Sequence, residues 1–500
     1  MAQTTSASAT PVGGDLAWLP GWRLAELIRS GELSPVELVT QVLRRIEQVE
    51  PEVHSFITVA ADQAMRDARS AERAVARGDA LGPLHGVPIS LKDNLWTPGI
   101  RTTYGSLLFA DFVPTQDSTV SERLRSAGAI IVGKSNIPEI PGGGSGLRSV
   151  NRLVPECRNP WDARRTCGAS SGGAAAGLAA GLVPLAVGTD DGGSIRLPSA
   201  LCGVFGLFPV PGRVPAFGSV VAGPISSIGP MTRDVRDAAL LLQALAGPDE
   251  RDPECVKDPP LDHLGGLDAG VEGMRLAWSA DFGHIAMPEP AVVDTIRAAA
   301  MAFAGMGAHV DEPDVRLVDV WQIQPVTPAV PNAVPRLRDL PQIIEAGRDP
   351  QKRALLCPYV DVDRILAPPP VAESAESVEA GRRFAAQLDD LFSRYDLLLS
   401  PTINQVAALI PDDWGYPAYG PSPAPGLEGR ATITRAYVAY TRLVNVAHCA
   451  AASIPCGFVD GMPVGLQVIG RDEATVLRAS RAFEQARPWA QNRPPRFATA

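Results

Sequence analysis

The sequence predicts an α/β protein in which helices cover a central sheet. Short apolar strands alternate with capped helices between about residues 81 and 246. Of the 500 residues, 45% are hydrophobic and 20% charged, which is enough apolar material for a large core and excludes wholesale disorder. No internal repeat or long linker divides the chain. We therefore expect a single domain spanning residues 1–500.

The chain is expected to begin with helices over residues 15–80. Ser34 and Glu37 form a capping box with Pro35 at the first helical position, and apolar residues follow at helical spacing. A second, alanine-rich helix is predicted from about residue 60 to Arg77, and it ends at Gly78.

Strands and helices then alternate in the way that indicates a sheet layered with helices. The predicted elements are a strand at 86–91, a helix capped by Asp117 or Ser118 and ending at Ser126, a strand at 129–132, a small-residue helix opening at 168–173 and running to about 181, a strand at 183–187, and a helix capped by Thr232 and ending near Ala246.

Residues 247–394 have a different composition, with proline-rich and charged stretches around two predicted helices at about 290–306 and 374–392. We interpret this segment as a variable insertion that serves as a substrate cap. A buried strand at 396–402 and a helix from Glu473 to about residue 486 return to the earlier pattern.

Charge and cysteine content argue against several classes of protein. A net charge of −10 disfavours a nucleic-acid or anionic-membrane surface. Residues 1–14 have no basic or apolar region typical of a secretory signal, and the longest weakly polar run, 174–188, is too short to span a bilayer. The seven cysteines are scattered and include no C-x-x-C, so we expect a cytoplasmic protein without disulfides or a metal site.

The first segment that indicates chemistry is residues 86–94, GVPISLKDN. Only four of the 45 basic residues are lysines, namely Lys92, Lys134, Lys257 and Lys352. Lys92 ends an apolar strand, where desolvation favours the neutral amine that serves as a general base. The alternative is a solvent-facing lysine paired with Asp93.

Two further segments combine glycine and serine: residues 166–174, TCGASSGGA, and residues 188–198, GTDDGGSIRLP. Small residues at a helix entrance allow close backbone approach, and two glycines before Ser194 let successive N–H groups converge on one point. Such convergence is what an oxyanion hole beside a nucleophile requires. An ordinary glycine-rich turn is the alternative for each segment.

Taken together, the three segments resemble the amidase signature family, whose members use a Lys–cis-Ser–Ser triad. The resemblance extends to residues 133–139 (GKSNIPE), 158–162 (RNPWD), Asn445, 454–458 (IPCGF) and 461–467 (GMPVGLQ). It covers roughly residues 20–235 and 395–490. It implies a mixed central sheet covered by helices on both sides, with the catalytic core at 81–246 and 395–490.

The resemblance also implies the roles of individual residues. Ser194 is the nucleophile, Ser170 the bridging serine and Lys92 the base. The backbone N–H groups of Asp191, Gly192, Gly193 and Ser194 form the oxyanion hole. Asp190, Arg196 and Ser171 support that loop, Lys134 is structural, and neither metal nor cofactor takes part.

Four positions depart from the family pattern. Ala169 and Ala174 replace a glycine and a serine, and Cys167 stands where proline is frequent. Asp191 in addition occupies a hole position that is usually uncharged. We predict that its side chain points away from the oxyanion.

Other functional interpretations remain. GASSG at 168–172 satisfies the G-x-S-x-G elbow of α/β hydrolases, which would make Ser170 the nucleophile with a histidine partner from His263, His284, His309 or His448. The chain also resembles the glutaminase subunit of tRNA-dependent amidotransferases, although those members commonly carry glutamine where Leu197 stands. A catalytically inactive binding protein is the third alternative.

We expect a stand-alone amidase acting on small amides, anilides or carbamates, with aryl acylamidases, nylon-oligomer hydrolases and urethanases as models. Esters are further candidate substrates. The homodimer is our working guess for the assembly. Apolar and aromatic residues expected to line the pocket are Trp321, Ile323, Val326, Val330, Val334, Trp414, Tyr416 and Tyr419.

Overall fold

A computed structural model describes residues 16–140, 147–219, 225–259, 261–323, 339–367, 375–410 and 430–498. Its strands are β1 (Phe56–Val59), β2 (Pro88–Lys92), β3 (Ile130–Ser135), β4 (Arg158–Asn159), β5 (Asp162–Thr166), β6 (Leu185–Asp190), β7 (Phe205–Phe208), β8 (Ser227–Thr232), β9 (Arg275–Trp278), β10 (His309–Asp311), β11 (Leu397–Pro401), β12 (Ala450–Val459) and β13 (Met462–Gly470).

The helices are α1 (Gly21–Arg29), α2 (Pro35–Val53), α3 (Ala61–Arg77), α4 (Thr119–Ser126), α5 (Gly172–Ala179), α6 (Arg196–Cys202), α7 (Val235–Leu245), α8 (Pro290–Met301), α9 (Pro341–Arg348), α10 (Pro350–Arg353), α11 (Val362–Leu366), α12 (Ala375–Arg394), α13 (Arg430–Val446) and α14 (Glu473–Ala486). Short 3₁₀ helices lie at Leu16–Trp18, Leu107–Phe109, Ala302–Met306 and Val320–Gln322.

Eleven of the described strands form one mixed sheet in the order β1-β3-β2-β6-β8-β7-β12-β13-β11-β9-β10. Strands β3, β2 and β6 run parallel to one another, as do β11, β9 and β10, and the remaining pairs are antiparallel. Helices flank this sheet, which confirms the predicted fold class. Strands β4 and β5 form a separate two-stranded sheet.

Local signals in the sequence located several of the helix starts. The Ser34 hydroxyl accepts hydrogen bonds from the N–H groups of Val36 and Glu37, and Ser118 caps α4. One predicted cap is wrong: Asp234, not Thr232, caps α7. Thr232 is the last residue of β8, so it lies too far before the helix to cap it. Its hydroxyl instead donates to the Asp234 carbonyl.

The segment 247–394 contributes more to the sheet than the sequence predicted. Strands β9 and β10 extend the sheet beyond β11, and α8 lies between them in the sequence. Each strand has four residues or fewer, too short for its period to stand out from its surroundings. Strand β1 was missed within the N-terminal segment for the same reason.

A later part of this segment is tied to the first half of the core through Glu139. Its side-chain carboxylate accepts hydrogen bonds from the Ser106 hydroxyl (2.5 Å) and the Cys357 N–H (2.6 Å). The Glu139 N–H donates to the Tyr359 hydroxyl at 2.8 Å. Because all these groups are buried, residues 357–359 have a fixed position against the loop that follows β3.

Candidate active site

Lys92 is the last residue of β2, and its side chain is completely buried. Strands β2 and β6 are parallel neighbours, so their carboxyl ends lie at the same edge of the sheet. The Lys92 Nζ donates hydrogen bonds to the Ser170 Oγ at 2.8 Å and to the Thr189 carbonyl, near the end of β6, at 2.9 Å. This lysine therefore faces the first glycine–serine segment and not solvent.

Asp93 does not neutralise Lys92 and instead lies 4.0 Å from Lys134. The Lys134 ammonium also donates to the Leu95 carbonyl and to the hydroxyls of Thr97 and Thr102. Burial lowers the pKa of Lys134 and raises the pKa of Asp93. Lys134 thus has its full set of partners within the protein and does not contact Ser170.

The pKa of Lys92 is lowered from its usual value near 10.5 to about 7. Burial is the main cause, because it penalises the charged ammonium. The negative charges of Asp191 and Asp190 act in the opposite direction. A lysine with this pKa has a substantial neutral fraction at neutral pH and can accept a proton.

Ser170 and Ser171 lie at the entrance to α5, with a cis peptide bond between Ala169 and Ser170. The Ser171 N–H donates to the Ser194 carbonyl at 3.1 Å, and its hydroxyl donates to the Thr189 carbonyl at 3.2 Å. Ser171 therefore joins the two glycine–serine segments and the end of β6.

Helix α5 reaches this position because it is built from small residues. Every residue of the helix is buried, and the Gly173 N–H donates to the Asn136 carbonyl at 3.0 Å. A Cβ atom at Gly173 would lie 2.3 Å from the Asn136 nitrogen and 2.4 Å from the Ser55 carbonyl oxygen. Only glycine allows this close approach between the helix and the neighbouring backbone.

Ser194 lies in the loop between β6 and α6, where Asp191, Gly192 and Ser194 are partly exposed and Gly193 is buried. In the described part of the chain, the Ser194 hydroxyl makes no hydrogen bond. The structure thus brings Lys92 and Ser170 into direct contact, whereas Ser194 is linked to them through the backbone of Ser171.

Asp190 and Arg196, at the two ends of this loop, form an ion pair, and both side chains are fully buried. The Arg196 Nε donates to Asp190 Oδ2 and the Arg196 Nη2 to Asp190 Oδ1, each at 3.0 Å. Burial by itself raises the pKa of Asp190, but the Arg196 charge and the surrounding hydrogen bonds hold it at about 2. This bidentate pair ties the end of β6 to the start of α6.

Side chains from the C-terminal part of the chain complete the network. Arg196 donates to the Thr441 carbonyl at 2.9 Å, to Gln467 Oε1 at 3.0 Å and to Asn445 Oδ1 at 2.5 Å. The Thr441 hydroxyl donates to the Gly192 carbonyl at 2.6 Å. Sequence reasoning noted Asn445 and Gln467 but missed Thr441, although its position four residues before Asn445 places both on one helix face.

Of the four N–H groups expected to form the oxyanion hole, two already donate to a protein acceptor and two do not. Those of Gly192 and Gly193 donate to Asp190 Oδ1 at 3.1 and 2.6 Å, so the structure differs from the expectation for these two. Those of Asp191 and Ser194 have no acceptor among the described residues. Sequence alone could not separate the two pairs, because the direction of each N–H depends on how the loop wraps around the Asp190 carboxylate.

Asp191 lies within electrostatic range of Lys92, Asp190 and Arg442. Burial raises its pKa, a Ser226 hydrogen bond lowers it, and its Oδ1 is buried without a hydrogen-bond partner. In its ionised form this carboxylate raises the pKa of Lys92. Whether it points away from the oxyanion stays a prediction.

Among the described residues, no histidine ring is hydrogen-bonded to the serine segments. His263 is buried with neither ring nitrogen hydrogen-bonded, and His284 bonds to the Phe282 carbonyl. The strand before Ser170 is β5, which belongs to the two-stranded sheet, whereas a nucleophile elbow follows a strand of the central sheet. Within the described ranges, no cluster of three or more His, Cys, Asp or Glu side chains is suited to a metal ion, and no helix is long and apolar enough to cross a membrane.

The departures from the family pattern are packed inside the protein. Ala169, Ala174 and Cys167 are all buried, and the Cys167 thiol contacts the Cys157 carbonyl oxygen at 3.5 Å. Of the expected pocket residues, Trp321 lies beneath the guanidinium of Arg442, and Ile323 is partly buried in the same cluster. The others lie outside the described residues: Val326, Val330, Val334, Trp414, Tyr416 and Tyr419.

The fold and these segments define a class of protein that comparison with known families identifies. The family model described as Amidase matches residues 37–477. The chain belongs to the amidase family, and the predicted resemblance to amidase signature enzymes is confirmed.

Individual relatives differ in the activity that their names give. A glutamyl-tRNA(Gln) amidotransferase subunit of Moorella thermoacetica is 35% identical, over 96% of this chain and 99% of that protein. The crystal structure of a bacterial aryl acylamidase matches with a TM-score of 0.80 at 29% identity, over 97% of this chain and 99% of its own. The structure of peptide amidase from Stenotrophomonas maltophilia matches with a TM-score of 0.78 at 26% identity, over 96% of this chain and 99% of its own.

Proposed function

We propose that this protein hydrolyses the carbon–nitrogen bond of amides through an acyl-enzyme on Ser194. The observation that carries the proposal is the buried Lys92 amine, 2.8 Å from the Ser170 hydroxyl and with a pKa near 7. Membership of the amidase family supports the reaction class.

In the proposed mechanism, neutral Lys92 accepts a proton that Ser194 passes through Ser170. The relay requires a Ser194 side-chain rotamer in which its hydroxyl donates to Ser170. The Ser194 oxygen attacks the amide carbonyl carbon and forms a tetrahedral intermediate. The intermediate then collapses with cleavage of the carbon–nitrogen bond as Ser170 returns the proton to the departing amine, and water hydrolyses the acyl-enzyme by the same relay.

The developing oxyanion is assigned in this proposal to the N–H groups of Asp191 and Ser194. These are the two groups of the predicted hole that have no acceptor within the described residues. A well-placed donor of this kind contributes about 3–4 kcal/mol to transition-state stabilisation. The bond of Gly193 to Asp190 keeps the loop in a conformation that leaves the other two free.

We propose amides, anilides or carbamates with apolar or aryl groups as substrates, with esters as further candidates. Support comes from Trp321, which lies in the variable segment and packs beside the loop through Arg442. We also retain the single-domain organisation and propose that the variable segment 247–394 contributes the substrate cap.

Glutamine hydrolysis within an amidotransferase is the second candidate function. The curated relatives favour it over a stand-alone amidase, since the protein of that name matches almost end to end at 35% identity. Against it stands Leu197, which is buried at a position where such subunits commonly have glutamine.

A panel of chromogenic anilides, esters and carbamates, run with the purified chain and with Ser194→Ala and Lys92→Ala, tests the proposal. We expect turnover by the parent protein and its loss in both variants. Glutamine-dependent ammonia release together with copurifying partner subunits would establish the second candidate. Full activity of Ser194→Ala on every substrate would refute the acyl-enzyme.

A further inference from the structure

Arg442 lies beside the candidate nucleophile loop without a partner for its hydrogen-bond donors among the described residues. It follows Thr441 on α13, and its Nη1 lies 3.6 Å from the position that a Cβ on Gly192 would occupy. Its guanidinium carbon lies 5.0 Å from the centre of the Trp321 ring. In the described part of the chain, this guanidinium donates no hydrogen bond and forms no ion pair.

Other buried arginines show what such a group normally requires. The Arg45 guanidinium donates to the carbonyls of Ala180 and Phe497, and that of Arg233 donates to the carbonyls of Leu178 and Val183. Arg442 is partly buried, and burial lowers its pKa. Because its guanidinium nitrogens have no protein acceptor in the described structure, water or a bound ligand must supply one.

Arg442 lies next to the partly exposed residues of the loop. Asp191, Gly192 and Ser194 are its partly exposed residues, and Arg442 is close to two of the three. Asp191 is near enough to act on Arg442 electrostatically but, in the described structure, forms no ion pair with it. The guanidinium thus remains available to a molecule that binds in front of Ser194.

We propose that Arg442 is a specificity-determining residue that binds a carboxylate on the acyl part of the substrate. A guanidinium supported by an aromatic face matches the planar geometry of a carboxylate, which it binds through two parallel hydrogen bonds. Two peptide units separate Gly192 from Ser194, which limits their Cα atoms to about 7.6 Å. Since Arg442 adjoins Gly192, only two residues from Ser194, the expected substrates have a short spacer of two or three methylenes between the carboxylate and the scissile carbonyl, as in succinyl and glutaryl amides.

This inference rests on the proposed amide hydrolysis and is tested with a matched pair of substrates. Succinyl 4-nitroanilide and butyryl 4-nitroanilide have acyl chains of the same length and differ in the terminal carboxylate. We expect the parent protein to prefer the succinyl substrate. Arg442→Gln should lower kcat/KM for it by about ten- to a hundred-fold and leave the butyryl substrate nearly unchanged.

Two further variants separate recognition from folding. Arg442→Lys keeps the charge but loses the paired geometry, so it should retain part of the preference. Arg77→Gln removes an arginine from an exposed surface of α3 and should change neither substrate. An equal loss on both substrates in Arg442→Gln, or no preference in the parent protein, would overturn the inference.

A binding measurement makes the outcome independent of turnover. Calorimetry with Ser194→Ala should show that succinamate binds more tightly than butyramide. Adding Arg442→Gln to that variant should weaken succinamate binding by about ten- to a hundred-fold, the factor expected for kcat/KM. Turnover of the butyryl substrate without any effect of Arg442 would refute the inference but not the proposed function. Succinamate binding that depends on Arg442, without turnover of any amide, would refute the proposed function alone.

Discussion

Lys92 Nζ and Ser170 Oγ are 2.8 Å apart, and both side chains are buried although 78 positions separate them in the chain. Burial rather than a charged neighbour lowers the pKa of this lysine. The contact therefore joins an amine that can accept a proton near neutral pH to a buried hydroxyl.

Lys92→Arg is expected to keep the positive charge and lose the activity, because a guanidinium is not deprotonated in a protein. A loss of general-base catalysis lowers kcat/KM by about 10² to 10⁴-fold. Lys352→Arg is the matched control, since Lys352 is exposed and pairs with Glu345. Activity of Lys92→Arg close to that of the control, with circular dichroism showing both folded, would refute the role of the lysine.

The pH dependence should follow the pKa of Lys92. Only the neutral amine accepts a proton, so kcat/KM should be low below pH 7 and rise as the pH passes through about 7. At one pH unit below the pKa, about a tenth of the lysine is neutral, and at one unit above, about nine tenths. A pH–rate profile of kcat/KM between pH 5 and 9 checks this, and a flat profile would contradict it.

Asp191→Asn should move that profile to lower pH. The Asp191 charge raises the pKa of Lys92, so its removal lets burial lower the lysine pKa further. We expect the midpoint of the acidic limb to shift downward with little change in the plateau rate. If the plateau rate of acylation instead rises many-fold, the carboxylate opposes the oxyanion and the predicted orientation of its side chain is wrong.

Substitution of His263, His284, His309 and His448 together should leave most of the activity intact. None of them is hydrogen-bonded to Ser170 in the described structure, where the Ser170 hydroxyl accepts from Lys92. Steady-state kinetics, with melting temperature to verify folding, provide the measurement. Loss of acylation in a folded quadruple variant would favour the nucleophile elbow.

Gly173→Ala should destabilise the protein, because the added methyl group would meet the backbone of Asn136 and Ser55 at 2.3 and 2.4 Å. Overpacking of this kind costs about 1–3 kcal/mol in the free energy of unfolding. Gly177→Ala is a control on the same helix, where the nearest atom is the Ser55 hydroxyl at 3.4 Å. Chemical denaturation of both variants checks the difference, and equal stabilities would contradict it.

Local sequence signals predicted several helices and the four strands β2, β3, β6 and β11, because such signals act within a few residues. The capping serines Ser34 and Ser118 and the apolar stripe of α2 each depend on one turn of helix. Strands β9 and β10 escaped prediction because a strand of three or four residues gains its stability from its neighbours in the sheet. The residue types of the candidate site were evident from its three segments and the family resemblance.

What the sequence by itself determined was which residues have the chemistry: a rare lysine, two serines and a pair of glycines before one of them. Only the tertiary structure decided that Lys92 is buried between β2 and β6, and that Asp93 lies beside Lys134 and not beside Lys92. It also decided that Asp190 takes the N–H groups of Gly192 and Gly193. The reason is physical, since desolvation, electrostatics and the direction of an N–H are set by groups far apart in the chain.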